Sequence, residues 1–268
     1  MTMLKVMTFN LRTGNMPDGA NHWDHRKDLA ARLIRETDPD ILGALEALAE
    51  QYDFLRAQFE SAYHLVGVCR GDGSRADEAA PLMLRRERFD LIDSGTFWLS
   101  ETPETAGSKG WDGDYPRICT WVRVHDRQRS GGGGGGGELL VLNTHLDHAG
   151  PIARREGAKL LRRFMAEQGK DAPLLLMGDF NVGPDSEPHR ILLADGDDGV
   201  RLFDAYRHVH RERRSDEATW HGFTGAADGS SIDWILCSPH FQVESCEIDR
   251  TSFDGRYPSD HFPVTLDL

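Results

Sequence analysis

Pro173-Leu174-Leu175-Leu176-Met177-Gly178-Asp179-Phe180-Asn181 is the stretch on which the reading of this chain turns. An unbroken apolar run of this length behind a proline predicts a strand buried on both faces. The run stops at Gly178 and delivers Asp179 and Asn181, an acid and an amide separated by one aromatic. Strand alternation turns those two side chains to one side and Phe180 to the other, into the packing. Such a pair suits a metal-bound water or a phosphate oxygen. It equally describes an Asx turn that ends a strand.

The same event recurs outward along the chain. Residues 3–11 alternate as a strand and place Asn10 near its end, and the short apolar run 41–45 carries Glu46. Residues 139–144 end in His145, Ile232 is followed by Asp233, and Asp260-His261 precedes the last apolar run. Polar groups at the ends of six separate strands predict one rim of a sheet core lined with oxygens and imidazoles. That donor set suits hard divalent cations such as Mg2+ or Mn2+.

Between these strands the periodicity predicts helices over 23–36, 47–60, 151–168 and 186–194. Further strands are predicted at 64–68, 81–85, 89–97, 117–124, 232–237, 241–248 and 262–266. Residues 70–78 and 100–116 read as surface loops. Strands outnumber helices and often follow one another directly, which favours an α+β or mixed layered architecture. The seven glycines from Gly131 to Gly137 cannot repay their ordering entropy, and strand patterns close on both sides of them. They predict a flexible hairpin tip over 130–137 inside a single domain of residues 1–268.

Composition narrows the function classes. With 39% hydrophobic and 28% charged residues the chain is ordinary for a globular protein. The N-terminal residues show no signal-peptide pattern, and nothing approaches a membrane span. The four cysteines are scattered without metal-ligand spacing, as in a reduced core, so a cytoplasmic protein with no membrane partner is expected. The net charge of -13 argues against a long nucleic acid gripped on a basic face. The charge that meets a phosphate is then confined to a small cleft and supplied partly by metal, or the substrate is small.

The motifs Thr8-Phe9-Asn10, Glu46, Asn143-Thr144-His145-Leu146-Asp147-His148, Gly178-Asp179-Phe180-Asn181, Ile232-Asp233 and Ser259-Asp260-His261 together resemble the endonuclease/exonuclease/phosphatase superfamily. The runs Gly95-Thr96-Phe97-Trp98-Leu99-Ser100-Glu101-Thr102-Pro103 and Arg117-Ile118-Cys119-Thr120-Trp121 are similar to a bacterial branch of it. The resemblance implies a DNase I-like four-layer α/β sandwich, two packed mixed β-sheets flanked by helices. It also implies a metal-dependent phosphoric ester hydrolase (EC 3.1).

Carried over by position, the resemblance implies Glu46 as principal metal ligand, with Asn10 beside it and Asp260 as a further ligand of metal or water. Asp179 and Asn181 would position and deprotonate the attacking water. Asp233 would orient His261 against the phosphate. His145 would act across the scissile group as proton donor or electrophile, with Glu78 orienting it. Arg117, Trp111 and Asp147 are candidate substrate contacts, although loop capping explains Asp147 as well. Trp98 and Trp121 read as packing, and His22, His25, His208, His210 and His221 as solvated or incidental. His208 and His210 alternate as strand residues do, but nothing completes a zinc set with them.

Two positions depart from the family pattern. Leu45 stands where glutamine often precedes the metal-binding glutamate, and Cys69-Arg70-Gly71-Asp72-Gly73 replaces a Gly-Arg-Asp-Asp-Gly run. The expected function is hydrolysis of phosphodiester bonds, as a nuclease or phosphodiesterase using Mg2+ or Mn2+ and acting as a monomer. The alternatives are a phosphatase on a small phosphorylated metabolite, sugar or lipid headgroup, a catalytically silent phosphate-binding module, and more distantly a zinc hydrolase.

Overall fold

The computed structural model describes residues 3–129, 137–169, 172–196 and 198–268. In chain order the elements are β1 (Lys5–Asn10), α1 (Trp23–Thr37), β2 (Ile41–Leu45), β3 (Ala47–Leu48), α2 (Ala49–Phe59), β4 (Tyr63–Val66), β5 (Glu78–Ala79) and β6 (Leu82–Arg85). There follow β7 (Phe89–Trp98), β8 (Ile118–Asp126), β9 (Glu138–His145), α3 (Pro151–Gln168), β10 (Leu174–Asp179) and α4 (Glu187–Leu192). The chain closes with β11 (Phe203–Asp204), α5 (Ala205–Val209), β12 (Asp233–Cys237), β13 (Ser245–Ile248) and β14 (Val264–Asp267).

Two mixed six-stranded sheets run β13-β14-β1-β2-β6-β4 and β11-β12-β10-β9-β8-β7. Each is built around one parallel pair, β1 with β2 and β10 with β9, and its other pairs are antiparallel. Period-2 alternation divides every central strand between two cores. Val6, Ile41, Val141, Leu175 and Met177 fill the space between the sheets. Met7, Phe9 and Leu42 turn outward onto Ala30, Leu33 and Leu55 of α1 and α2, while Leu140, Leu176 and Phe180 pack on Leu161 and Met165 of α3. The result is a four-layer sandwich of helix, sheet, sheet and helix, as the motifs implied. No helix among the described residues is long and apolar enough to cross a membrane.

Two glycines bring these layers close. A Cβ on Gly43 would stand 2.6 Å from the Asn143 side chain, and Asn143 reaches across the sandwich to donate to the Ala44 and Pro81 carbonyls. Gly178 has φ +143°, and a Cβ there would meet the Thr144 carbonyl oxygen at 1.8 Å, so β10 and β9 pair only with glycine at this position.

Several local expectations are corrected. Ala47 and Leu48 pair with β5 instead of starting α2, because the chain must first leave the left-handed turn at Glu46. Residues 241–244 precede β13 as irregular chain that packs Phe241 and Val243 on the core. His208 lies in α5 and His210 caps it, so the two do not alternate along a strand. The four cysteines are buried and free. β8 and β9 pair antiparallel on either side of the expected 130–137 tip, of which residues 130–136 lie outside the described residues.

Candidate active site

The site forms where the inward-facing rows of the two sheets pass the end of the apolar core. On β1 the inward row is Val6, Thr8, Asn10; on β10 it is Leu175, Met177, Asp179; on β12 it is Cys237, Ile235, Asp233. The same alternation that makes the core therefore aims Asn10, His145, Asp179 and Asp233 into one space. Asn10 Nδ2 donates to Glu46 Oε1 (2.9 Å) and to Asp179 Oδ2 (3.1 Å), joining the two sheets across 169 residues. Glu46 turns toward it through a left-handed backbone (φ 56°) and accepts the Thr13 N–H at 2.8 Å.

Asn181 arrives by a different route from the one alternation predicts. The strand stops at Asp179, whose Oδ1 accepts the Asn181 N–H at 2.8 Å in an Asx turn, and Asn181 takes φ 54°. Phe180 points away and stacks on Trp234, with ring centroids 4.3 Å apart. The Asn181 amide then donates to Leu146 O and to His145 Nε2, each at 2.9 Å. One amide hydrogen is thus spent on the His145 ring and the other on the main chain of the next residue.

The two imidazoles carry different charge. Burial and the neighbouring Arg117 and Arg70 hold the His145 pKa well below its ordinary value, so the ring is neutral and its Nε2 accepts. Burial alone would lower His261 too. Asp233, whose Oδ2 lies 2.9 Å from Nδ1, overrides burial together with Asp179 and Asp260 and raises His261 to about 10. His261 is an imidazolium with Nε2 3.9 Å from Asp179 Oδ2. Burial and the nearby Asp233 carboxylate push Asp179 up to about 7. Burial likewise raises Glu46, but His261, the Asn10 amide and Thr13 outweigh it and hold the carboxylate below its usual range. Burial raises Asp260 as well.

Glu46, His145 and Asp179 bring ligand atoms within 4.8 Å of one another. Burial, and after it the nearby Asp233 carboxylate, disfavours negative charge on Asp179, and a hard cation would relieve that cost. The donor set fits a divalent metal on these grounds. Asn10 presents its N–H side to both carboxylates while its oxygen accepts from Arg12 N–H, so ligation by that oxygen would require the amide to turn over.

The remaining expected residues fall around this centre. Glu78 lies against Arg70 (2.9 Å) and is raised to about 7 by burial; its contacts do not include His145. Arg117 is buried and contacts Asp147 (3.4 Å) and His148 (3.2 Å). Asp147 accepts N–H bonds from Asp114, Tyr115, Ala149 and Gly150, so its carboxylate is consumed by the loop that carries Tyr115 and Arg117. Asp260 faces Arg12 Nε at 3.7 Å and Trp220 Nε1 at 3.4 Å. Trp111 lines a groove of about 630 Å³ with Phe97, Trp121 and Phe164 on the outer face of the second sheet. Trp98 is buried and Trp121 packs on Phe164.

Sequence reasoning missed several residues here. Trp220 is 55% exposed beside Asp260 and His261, an aromatic face at the mouth of the site. Of the two readings offered for His221, solvated or incidental, solvation is ruled out, because it is buried and stacked on Phe262 at 3.9 Å. Gln51 and Arg26 tie down the loop after β1. These contacts join segments far apart in sequence, and no local pattern announces them.

A DNase I-like sandwich whose strand ends converge on buried carboxylates, an amide and a carboxylate-backed imidazolium defines a phosphoesterase-type hydrolase architecture. The chain belongs to the Endonuclease/Exonuclease/phosphatase family, whose model matches residues 7–261. It is similar to a mannosyl-6-phosphatase of Bacteroides thetaiotaomicron, at 33% identity and TM-score 0.87, covering 99% of each chain. A family protein from Bacteroides vulgatus gives 33% identity and TM-score 0.86, covering 100% of this chain and 98% of that one. Nocturnin of Drosophila melanogaster is 24% identical over 94% of this chain, and the chain spans 43% of that relative's length.

Proposed function

We propose that this protein is a divalent-metal-dependent phosphatase that hydrolyses the phosphomonoester of a small phosphorylated sugar. The observation that carries the reading is the geometry of one buried cluster, in which His261 is backed by Asp233 at 2.9 Å with its Nε2 3.9 Å from Asp179, and His145 is held by Asn181 at 2.9 Å. The substrate class is supported by the net charge of -13, which disfavours long polyanions, and by the full-length likeness to a mannosyl-6-phosphatase. The phosphodiester reading takes second place on the same two grounds.

Glu46 and Asp179 would hold Mg2+ or Mn2+, with Asn10 and Asp260 beside them. When bound, the metal supplies Lewis-acid stabilisation of phosphoryl oxygens. Asp179, whose Oδ2 lies 3.1 Å from the Asn10 amide and 3.9 Å from His261 Nε2, would position the attacking water and accept its proton. Asp233 fixes the orientation of the His261 ring and keeps it charged, so that its Nε2–H would meet negative charge growing on the phosphoryl oxygens. His145, with Nε2 taken by the Asn181 amide, would offer only its Nδ1–H as an electrophilic donor. Asn181 positions His145 in this scheme.

The test is turnover of an aryl phosphomonoester, the matching diester and a panel of hexose phosphates with Mg2+ or Mn2+. Monoester turnover that vanishes with EDTA and in Asp179→Asn supports the proposal. Diester turnover alone would restore the phosphodiesterase reading, and activity surviving Asp179→Asn would overturn the mechanism.

A further inference from the structure

Arg26, on the buried face of α1, carries a guanidinium that is 1% exposed and contacts no carboxylate. Its N–H groups go to main-chain carbonyls: Nε to Asn21 (2.9 Å), Nη1 to Leu11 and to Pro258 (3.0 Å), and Nη2 to Arg12 (2.7 Å). The rings of Trp23 and Phe223 flank it at 5.1 and 5.5 Å. Burial lowers its pKa to about 10, so it remains charged at neutral pH.

Three of those carbonyls, of Leu11, Arg12 and Pro258, belong to the two segments that build the site from opposite ends of the chain. Leu11 and Arg12 follow Asn10, and the next residue, Thr13, donates to Glu46. Pro258 precedes Ser259-Asp260-His261, and Ser259 Oγ donates back to Asn10 O at 2.6 Å. A planar fork of donors can bridge carbonyls on separate segments, whereas an ammonium is a point on a flexible stem. We propose that Arg26 is a positioning residue: by bridging the loop after β1 to Pro258, it sets the spacing between the Asn10–Glu46 half of the site and the Asp260–His261 half. The inference rests on the proposed metal-dependent reading for its first readout and is independent of it for its second.

The test compares wild type with Arg26→Lys, Arg26→Met and Leu33→Ala, the last a truncation in the apolar cluster that α1 shares with β1 and β2, which removes packing but no hydrogen bond to the site loops. Mn2+ affinity of the folded protein is read by calorimetry, and the Nδ1–H resonance of His261 by proton NMR without metal. Both Arg26 variants should bind Mn2+ at least tenfold more weakly and shift or broaden the His261 signal, with kcat falling more than KM rises. Leu33→Ala should lose stability with affinity and resonance unchanged. Wild-type affinity together with an unmoved resonance in Arg26→Lys would overturn the proposal, as would equal losses in Leu33→Ala. A wild type that binds no divalent cation would refute the metal requirement instead, and the resonance would still decide for or against Arg26. Should Arg26→Met not fold, Arg26→Lys carries the same comparison.

Discussion

Replacing Asp147 by asparagine separates a loop-organising role from a substrate-binding one. The carboxylate accepts backbone N–H bonds from Asp114, Tyr115, Ala149 and Gly150 and lies against Arg117. Burial would raise its pKa, but the Gly150 N–H, Arg117 and the other backbone donors outweigh burial and lower it from 3.8 to about 2. At 1.36 kcal/mol per pKa unit, that difference makes the charged form worth about 2.5 kcal/mol of folding stability. Because the folded value is depressed, this stability is complete above the unfolded pKa and is lost as pH falls toward 2. Asp147→Asn should therefore cost about 2–3 kcal/mol at pH 7, or roughly 5–10 °C in Tm for a domain of this size. Between pH 5 and pH 3 the gap to wild type should close by roughly 1 kcal/mol. Urea denaturation of both proteins at pH 7, 5 and 3 measures it. A gap under about 0.5 kcal/mol at pH 7, or one that widens on acidification, would refute the reasoning. A large loss of substrate affinity with unchanged stability would return Asp147 to the substrate.

Other perturbations have equally direct readings. Asp233→Asn removes the group that keeps His261 charged, and kcat should drop about 10²–10⁴-fold while circular dichroism is retained; near-normal turnover would exclude the imidazolium role. Asp179 is raised by burial, so the metal-free fold loses stability as pH climbs from the unfolded value to about 7. Asp179→Asn should thus stabilise the metal-free protein at pH 8 by ~0.5–2 kcal/mol while abolishing turnover, and a destabilised variant would contradict this. Saturating Mn2+ at a hundredfold excess over Kd should add about 2.7 kcal/mol to wild-type stability, an increment that Glu46→Gln should largely remove. Gly178→Ala sets a Cβ against the Thr144 carbonyl and should destabilise by at least ~3 kcal/mol, seen as loss of soluble expression or a much lower urea midpoint.

The fold was legible because one signal repeats through the chain. Runs such as Leu174–Asp179 are apolar on both faces, each ends in a polar group, and a strand's period of two leaves that group one choice of side. The helix over Pro151–Gln168 was equally plain, having proline in its first turn and a continuous apolar face. What stayed hidden depends on long-range contact. The stop of β10 at Asp179 could not be told from one more strand residue, so Asn181 was reached by the wrong geometry. Arg70 claims Glu78 from a neighbouring loop, and that competition leaves no trace in local spacing. α5 is five residues long, too short for its periodicity to stand out from the alternation of His208 and His210. Trp220 reads like any other aromatic until the last strand folds back beside it.

The hydrogen bond between Asn10 and Asp179 ties together residues that belong to different sheets and opposite halves of the chain. The second sheet can begin at the β7–β8–β9 meander, whereas the first must bring β14 onto β1 from the far end of the chain, and the site has no meaning until one sheet docks on the other. Loop-closure entropy makes such distant contacts slow to form. Catalytic competence should therefore trail the return of secondary structure during refolding, arriving with the docking step. A metal ion seated between the sheets would act as a latch on that step, slowing the escape of the folded molecule more than it hastens its formation.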